Sequence, residues 1–267
     1  MLRSTFAGLA LLAALAVPAV PSAAERADYR LEAEVRFLGM NVADVALEGT
    51  AEGDTHAQRL AMASLGLVER LTGFRGELTA RARERPGLPA SLAFRSFTET
   101  DRATREVRLR YDGEGRVVDL ATFKRGEPEA SEVPAAMRDD TLDPLTAFTA
   151  IRDWLAGVRD AAPATTTLPI FDGRRRYDLE VTLVERRVAR FASGPTPILE
   201  VTLVSRPLAG FDEEKDARGP ITVLMSDDEL IVPLIMRTEV MGDLTAALYT
   251  KRVCAARSPE RCRDYRY

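Results

Sequence analysis

The sequence predicts a mainly β protein: a large antiparallel sheet curled into an open barrel or spiral, with one amphipathic helix packed on or in it. Three observations carry this reading. Apolar and charged residues alternate with a period of two in several segments, the pattern of an antiparallel strand with one wet face. Turn signals built on glycine, proline and aspartate recur between those segments. A single stretch, Asp143 to about Gly157, carries clear helical spacing.

The strands follow in order. Tyr29, Leu31, Ala33, Val35 and Phe37 share one face, and Arg30, Glu32, Glu34 and Arg36 the other. Leu38-Gly39-Met40-Asn41 turns the chain into a second strand through Val42, Val45 and Leu47, and Gly49 to Thr55 reads as polar and turn-like. Arg59 to Leu71 and Phe74 to Arg83 are less sharply patterned. The first has a composition open to helix, but its neighbours and glycines favour strand for both. Pro86-Gly87-Leu88-Pro89 is a turn, and Ser91 to Phe97 resumes the sheet. Val107, Leu109 and Tyr111 alternate with Glu106, Arg108 and Arg110. Asp112 to Gly115 then forms a hairpin turn into Arg116 to Phe123, and Lys124 to Asp140 reads as a loop.

In the helix, Asp143 is placed to cap, Pro144 sits at the first helical position and Gly157 ends it. Leu145, Phe148, Ile151 and Leu155 fall on one stripe bordered by Trp154, the only tryptophan. Such a stripe is a core-facing surface first and a binding surface second. After a polar linker, Asp160 to Thr167, the strands return. Asp172-Gly173 signals a hairpin, Tyr177 to Leu183 alternates, and Gly194-Pro195 turns into Ile198 to Val204. Ile221 to Met225 and Leu230 to Met236 flank an Asp227-Asp228 turn, and a last strand runs from Leu244 to Val253. Both strands beside the Asp227-Asp228 turn are apolar on both faces, so both faces are covered; the helix is the obvious cover and a lined cavity the other.

The N-terminus predicts export. Arg3 precedes an apolar run from Phe6 to Val20, Pro18 and Pro21 break it, and Ser22-Ala23-Ala24 offers small residues for cleavage after Ala24. The alternative, a retained membrane anchor, needs a longer span to cross about 30 Å of hydrocarbon. No cysteine follows the run, which argues against a lipoprotein anchor, and no later segment is long and uncharged enough to span. The expected organisation is a signal peptide over 1–24, a single β-rich domain over 25–253 and a C-terminal tail over 254–267, in a periplasmic location.

Charge and composition narrow the function. Loss of Arg3 takes the net charge from −4 to −5, which argues against a nucleic-acid partner. The two cysteines, Cys254 and Cys262, meet an oxidising compartment and pair most simply with each other, in a loop with room for a turn at Ser258-Pro259; a redox pair is the alternative. His56 is the only histidine and reads as a solvated turn residue, so a histidine-dependent triad or a zinc site lacks its parts. No G-x-S-x-G, G-x-G-x-x-G or phosphate-binding loop is present. No catalytic, cofactor-binding or metal site is expected, and no cofactor. The acidic run Asp212 to Asp216 reads as a solvated loop. Arg174-Arg175-Arg176 reads as the wet side of a hairpin, with an anion or phospholipid headgroup as the other reading.

Four stretches together carry a family resemblance: Tyr29 to Gly49 with its Gly39 turn, Asp143-Pro144-Leu145-Thr146-Ala147-Phe148 with Arg152, Phe171-Asp172-Gly173-Arg174-Arg175-Arg176-Tyr177, and the paired strands from Ile221 to Tyr249. Over about Tyr29 to Tyr249 the chain resembles the exported-protein family named domain of unknown function 3108. The resemblance implies an exported β-rich protein and supplies no catalytic residues. The expected function is non-enzymatic binding of an amphiphile or another envelope component, the partner being a lipid or such a component. The alternatives are a carboxylate-dependent hydrolase of an envelope polymer, which needs two carboxyls about 5–10 Å apart on a groove, and a protein-interaction module using an open sheet edge.

Overall fold

The computed structural model describes residues 28–212, 219–241, 244–255 and 258–267. The expected signal peptide and its cleavage site, and Glu213 to Asp216 of the acidic run, lie outside them.

The N-terminal half is a meander. β1 (Tyr29–Phe37), β2 (Met40–Glu52) and β3 (Thr55–Ser64) lead through a short helix, α1 (Gly66–Thr72), into β4 (Arg75–Arg83). β5 (Ala90–Thr100), β6 (Ala103–Tyr111), β7 (Val117–Lys124) and the two-residue β8 (Glu127–Pro128) complete it. A 3-10 turn (Ala135–Met137) and the long helix α2 (Pro144–Val158) connect to the second meander. This comprises β9 (Ala164–Phe171), β10 (Arg176–Phe191), β11 (Gly194–Ala209), β12 (Ile221–Ser226), β13 (Pro233–Met241), β14 (Leu244–Ala255) and β15 (Ser258–Asp264).

The halves join where β1 pairs antiparallel with both β2 and β14, which gives one continuous, unclosed sheet in the order β8-β7-β6-β5-β4-β3-β2-β1-β14-β13-β12-β11-β10-β9. α2 lies inside the curl, against β4 on one side and β9 on the other. Leu145 packs with Tyr29, Leu47, Phe94 and Leu109 of the first half. Ile151 and Leu155 pack with Leu168, Leu183, Val201 and Val223 of the second. The mainly β, curled-sheet expectation therefore holds, and the helix is the interior of the curl.

Some elements differ from the sequence reading. The stretch read as a strand through Leu71 breaks at Ser64. Gly66 at φ 59° and Gly73 at φ 55° bound α1, and the Gly73 amide closes the helix on the Glu69 carbonyl. β2 runs on through the segment read as a turn, so only Gly53-Asp54 turns and His56 joins β3, buried at 3% exposure. That corrects the solvated reading of His56: it pairs with Ala51 and Ala82 in register and its ring faces the core. Leu230 to Val232 is not strand, because Asp228 Oδ1 accepts from the Leu230 and Ile231 amides and winds the chain there before β13 begins.

The doubly apolar β12 is covered on both faces by different elements. Val223 and Met225 lie in the cluster around α2. Leu224 pairs with Ile235, which pairs with Tyr249, and these belong to the cluster that includes the C-terminal Tyr265 and Tyr267. The Tyr267 hydroxyl reaches the Leu234 and Thr250 carbonyls, both at 2.8 Å, and its ring stacks edge-on to Phe191. The tail is held by the disulfide of Cys254 and Cys262, directly paired across β14 and β15 with Cα atoms 4.1 Å apart. Ser258 already pairs with Ala255, so Ser258-Pro259 begins the strand instead of forming the turn.

Candidate functional site

The concave face is organised by α2, and α2 by its first residues. Asp143 is fully buried, and its Oδ1 accepts from the Leu145 and Thr146 amides, both at 3.0 Å. Its Oδ2 accepts from Ser91 Oγ at 2.7 Å and Thr146 Oγ1 at 2.6 Å, while its own amide donates to Ser91 Oγ at 3.0 Å. The N-cap is thereby also a tether to β5. One residue earlier, Leu142 bridges to β9: its amide donates to the Pro169 carbonyl at 2.8 Å, and the Phe171 amide donates to its carbonyl at 2.9 Å. The helix start is pinned to both halves of the sheet. Burial pushes the Asp143 carboxyl above the usual carboxylate range, opposed by those four hydrogen bonds.

Further along α2, Arg152 is 2% exposed. Its Nε and terminal nitrogen donate to the Leu230 carbonyl at 2.9 and 2.5 Å. Its guanidinium lies 4.4 Å from the Tyr29 ring centroid and 5.6 Å from that of Phe148. Burial pushes the Tyr29 phenol up, and the Arg152 charge opposes the shift. Of the apolar stripe, Leu145, Ile151 and Leu155 are buried; Phe148 is half-buried, edge-on to Tyr29 and shared between the two core clusters. Trp154 is half-buried at the margin of the second.

A cavity of about 170 Å³ opens beside the start of α2, between the inner faces of β4 to β6 and the β9–β10 turn. Leu78, Phe94, Val107 and Pro144 give it apolar walls, Ser96 and Thr98 supply hydroxyls, and Arg105, Asp172 and Arg174 complete it. The register explains the first group: Leu78, Ser96 and Val107 are cross-strand partners, as are Thr98 and Arg105. Half-buried Leu60 and Met62 extend the apolar surface next to Leu78 along β3.

The opposite wall depends on the Phe171-Asp172-Gly173-Arg174-Arg175-Arg176-Tyr177 turn. Asp172 Oδ1 accepts from the Arg174 and Arg175 amides at 2.8 and 2.6 Å. Gly173 has φ 90°, and a Cβ there would lie 2.2 Å from Val107 Cγ1, so only glycine lets the turn meet β6. Ser131 Oγ donates to the Gly173 carbonyl and fixes the turn from the loop side.

This contact sets Arg174 opposite Arg105. Burial holds the Arg174 guanidinium below its usual range, and the charges of Arg105 and Arg175 push it the same way, against Asp172 and Glu129. Neither Arg105 nor Arg174 forms an ion pair among the described residues. The outer face behaves differently: Arg59 pairs with Glu77, Arg95 and Arg108 with Glu106, Arg110 with Asp119, Arg187 with Glu200 and Arg206 with Glu180. The arginine run therefore divides. Arg176 pairs with Asp178 at 2.8 Å, Arg175 lies over the Phe211 ring, and Arg174 lines the cavity.

Sequence reasoning missed Arg105. Its signal was present: it falls in phase with Val107, Leu109 and Tyr111, a cation on an apolar face. Among the buried carboxylates, Asp143 is spent on its four hydrogen bonds, and Asp227 is held by Arg186 at 2.5 Å and Arg159 at 3.8 Å. Among the described residues no three of His, Cys, Asp or Glu gather as a metal site, and no helix is long and apolar enough to cross a membrane.

Compared with known proteins, residues 28–248 match the family model described as protein of unknown function, DUF3108, as the DPLTAF and FDGRRRY stretches led us to expect. No curated protein matches. Among solved structures, a DUF1089 family protein from Pseudomonas aeruginosa is 13% identical with a TM-score of 0.36, covering 71% of this chain and 87% of its own. A candidate lipoprotein from Parabacteroides distasonis is 8% identical with a TM-score of 0.34, covering 85% and 95%. At these scores neither likeness carries an argument about function.

Proposed function

The chain belongs to the DUF3108 family of proteins of unknown function, and we propose that this member is a periplasmic binding protein for an anionic amphiphile, acting without catalysis. The observation that carries the proposal is the pair of inward cations, Arg105 and Arg174, on an apolar cavity with no ion-pair partner among the described residues. Two like charges sharing a half-buried site repel, and a carboxylate or phosphate between them relieves both repulsion and desolvation. The headgroup sits between the two guanidinium groups, with Ser96 and Thr98 as additional donors. The chain lies on Leu78, Leu60 and Met62. The cavity, about 170 Å³, has room for the headgroup end alone, so the chain extends over the neighbouring apolar surface.

The test is native mass spectrometry of protein recovered after export, offered a long-chain fatty acid, the matching fatty alcohol and inorganic phosphate. The acid is expected to bind about tenfold tighter than the alcohol, about 1.4 kcal/mol. Arg105→Gln with Arg174→Gln should erase that preference. Equal binding of acid and alcohol by the wild type refutes the role of the arginine pair. Phosphate binding without fatty-acid binding refutes the amphiphile.

A further inference from the structure

The cation pair at the cavity has a neighbouring cation and a neighbouring carboxylate. β7 pairs antiparallel with β6, and Lys124 is the register partner of Arg105, as Thr122 is of Val107. Directly opposed residues of such a pair share a face with Cβ atoms about 4.5–5.5 Å apart, so Lys124 and Arg105 stand side by side. Arg174 meets Arg105 at the cavity from the β9–β10 turn.

Glu129, just past β8, returns the chain onto β7. Its backbone is fixed on both sides: its amide donates to the Thr122 carbonyl at 2.8 Å, and its carbonyl accepts from Thr122 Oγ1. Two residues on, Ser131 Oγ donates to the Gly173 carbonyl at 3.1 Å and ties the segment to the turn that carries Arg174. The Glu129 carboxylate is held far less firmly. It lies 3.9 Å from Lys124 Nζ, with the two side chains 36% and 48% exposed, and it accepts no hydrogen bond among the described residues. Its charge also reaches Arg174. Burial, with Arg105 and Arg175, holds that guanidinium below its usual range, and Asp172 and Glu129 are the carboxylates that oppose the shift. Asp172 is committed, since its Oδ1 holds the Arg174 and Arg175 amides. Glu129 has no such commitment.

We infer that Glu129 is the internal counter-ion of this site: its carboxylate counters the cations until an anionic headgroup enters, then swings aside on its fixed backbone and leaves Lys124 to join Arg105 and Arg174. This rests on the reading of the cavity as an anionic-amphiphile site and adds what sets its charge selectivity. An incoming anion competes with a carboxylate already beside the cations, whereas a neutral headgroup has no charge with which to replace it. A partly exposed carboxylate loses little on moving, because water solvates it and the contact it gives up is weak. A buried ion pair would not exchange so readily, since breaking it leaves a desolvated charge behind.

The test is equilibrium dialysis with labelled dodecanoate and labelled dodecanol, on protein recovered after export. Glu129→Gln is expected to bind dodecanoate about threefold tighter than the wild type, the scale of a partly exposed charge contact, with dodecanol binding and the melting curve unchanged. That gain should fade in high salt, which screens the contact the substitution removes. Lys124→Gln should weaken dodecanoate binding about threefold and leave dodecanol binding as it is. If the wild type prefers the acid and Glu129→Gln binds it no tighter, the counter-ion is overturned and the reading of the cavity stands. An equal gain for acid and alcohol in Glu129→Gln overturns it in the same way. A wild type that binds acid and alcohol equally overturns both.

Discussion

Replacing Asp143 by alanine removes one side chain that holds α2 to itself and to the sheet. The carboxylate accepts two amides and two hydroxyls, all within 3.0 Å, and has no exposure. Loss of an N-cap costs about 0.5–2 kcal/mol. Leaving the Ser91 and Thr146 hydroxyls short of a buried acceptor adds about 1–3 kcal/mol, so about 3 kcal/mol in all is expected. For a domain of this size that lowers the melting temperature by roughly 6–12 °C. The Asp143→Asn substitution keeps the cap oxygen and should cost about half as much. The pH dependence has a definite sign. Burial raises the folded-state carboxyl pKa above its unfolded value, so the folded state binds that proton more tightly. Its contribution is fully present below the unfolded pKa and is lost as pH rises through the folded one. Toward acid the wild type should therefore gain from this group what Asp143→Asn cannot, and the gap between the two should widen. Guanidinium denaturation across pH, read by circular dichroism, measures it. A loss under 1 kcal/mol for Asp143→Ala would refute the claim that this carboxylate tethers the helix to β5.

Other outcomes follow from the same geometry. Gly173→Ala puts a Cβ into Val107 at a positive φ and should cost about 2–4 kcal/mol in chemical denaturation; fatty-acid uptake should fall with it, because the turn carries Arg174. Arg174→Gln removes one of two repelling cations, so thermal melting of the apo protein should hold or rise while anionic uptake falls. Phe148→Ala should cost about 2 kcal/mol, below the 3–5 kcal/mol of a fully buried ring, since the side chain is half-buried; a melt indistinguishable from wild type would show that it does not bind the two core clusters together. Reducing the Cys254–Cys262 bond should cost about 2–3 kcal/mol and free the Tyr267 packing, seen as a change in near-UV circular dichroism.

The period-two alternation in β1, β6 and β10 and the stripe and cap of α2 could be read directly, because strand and helix repeats are local properties of the chain. Local propensity ran out where long-range contacts decide. α1 interrupts a stretch whose composition is open to helix but whose neighbours and glycines favour strand, and His56 is buried because β2 extends past its glycine to pair with it. Which side of β12 meets the helix and which the C-terminal tyrosines depends on a pairing of β1 with β14 across the whole chain. The site is divided in the same way. The sequence alone determined the Asp172-Gly173 turn and the neighbouring arginines, whose spacing is set by a few adjacent residues. Only the tertiary structure decided that Arg174 faces Arg105, since that meeting requires the sheet to curl until Gly173 touches Val107, and no local pattern encodes a contact between strands so far apart in sequence.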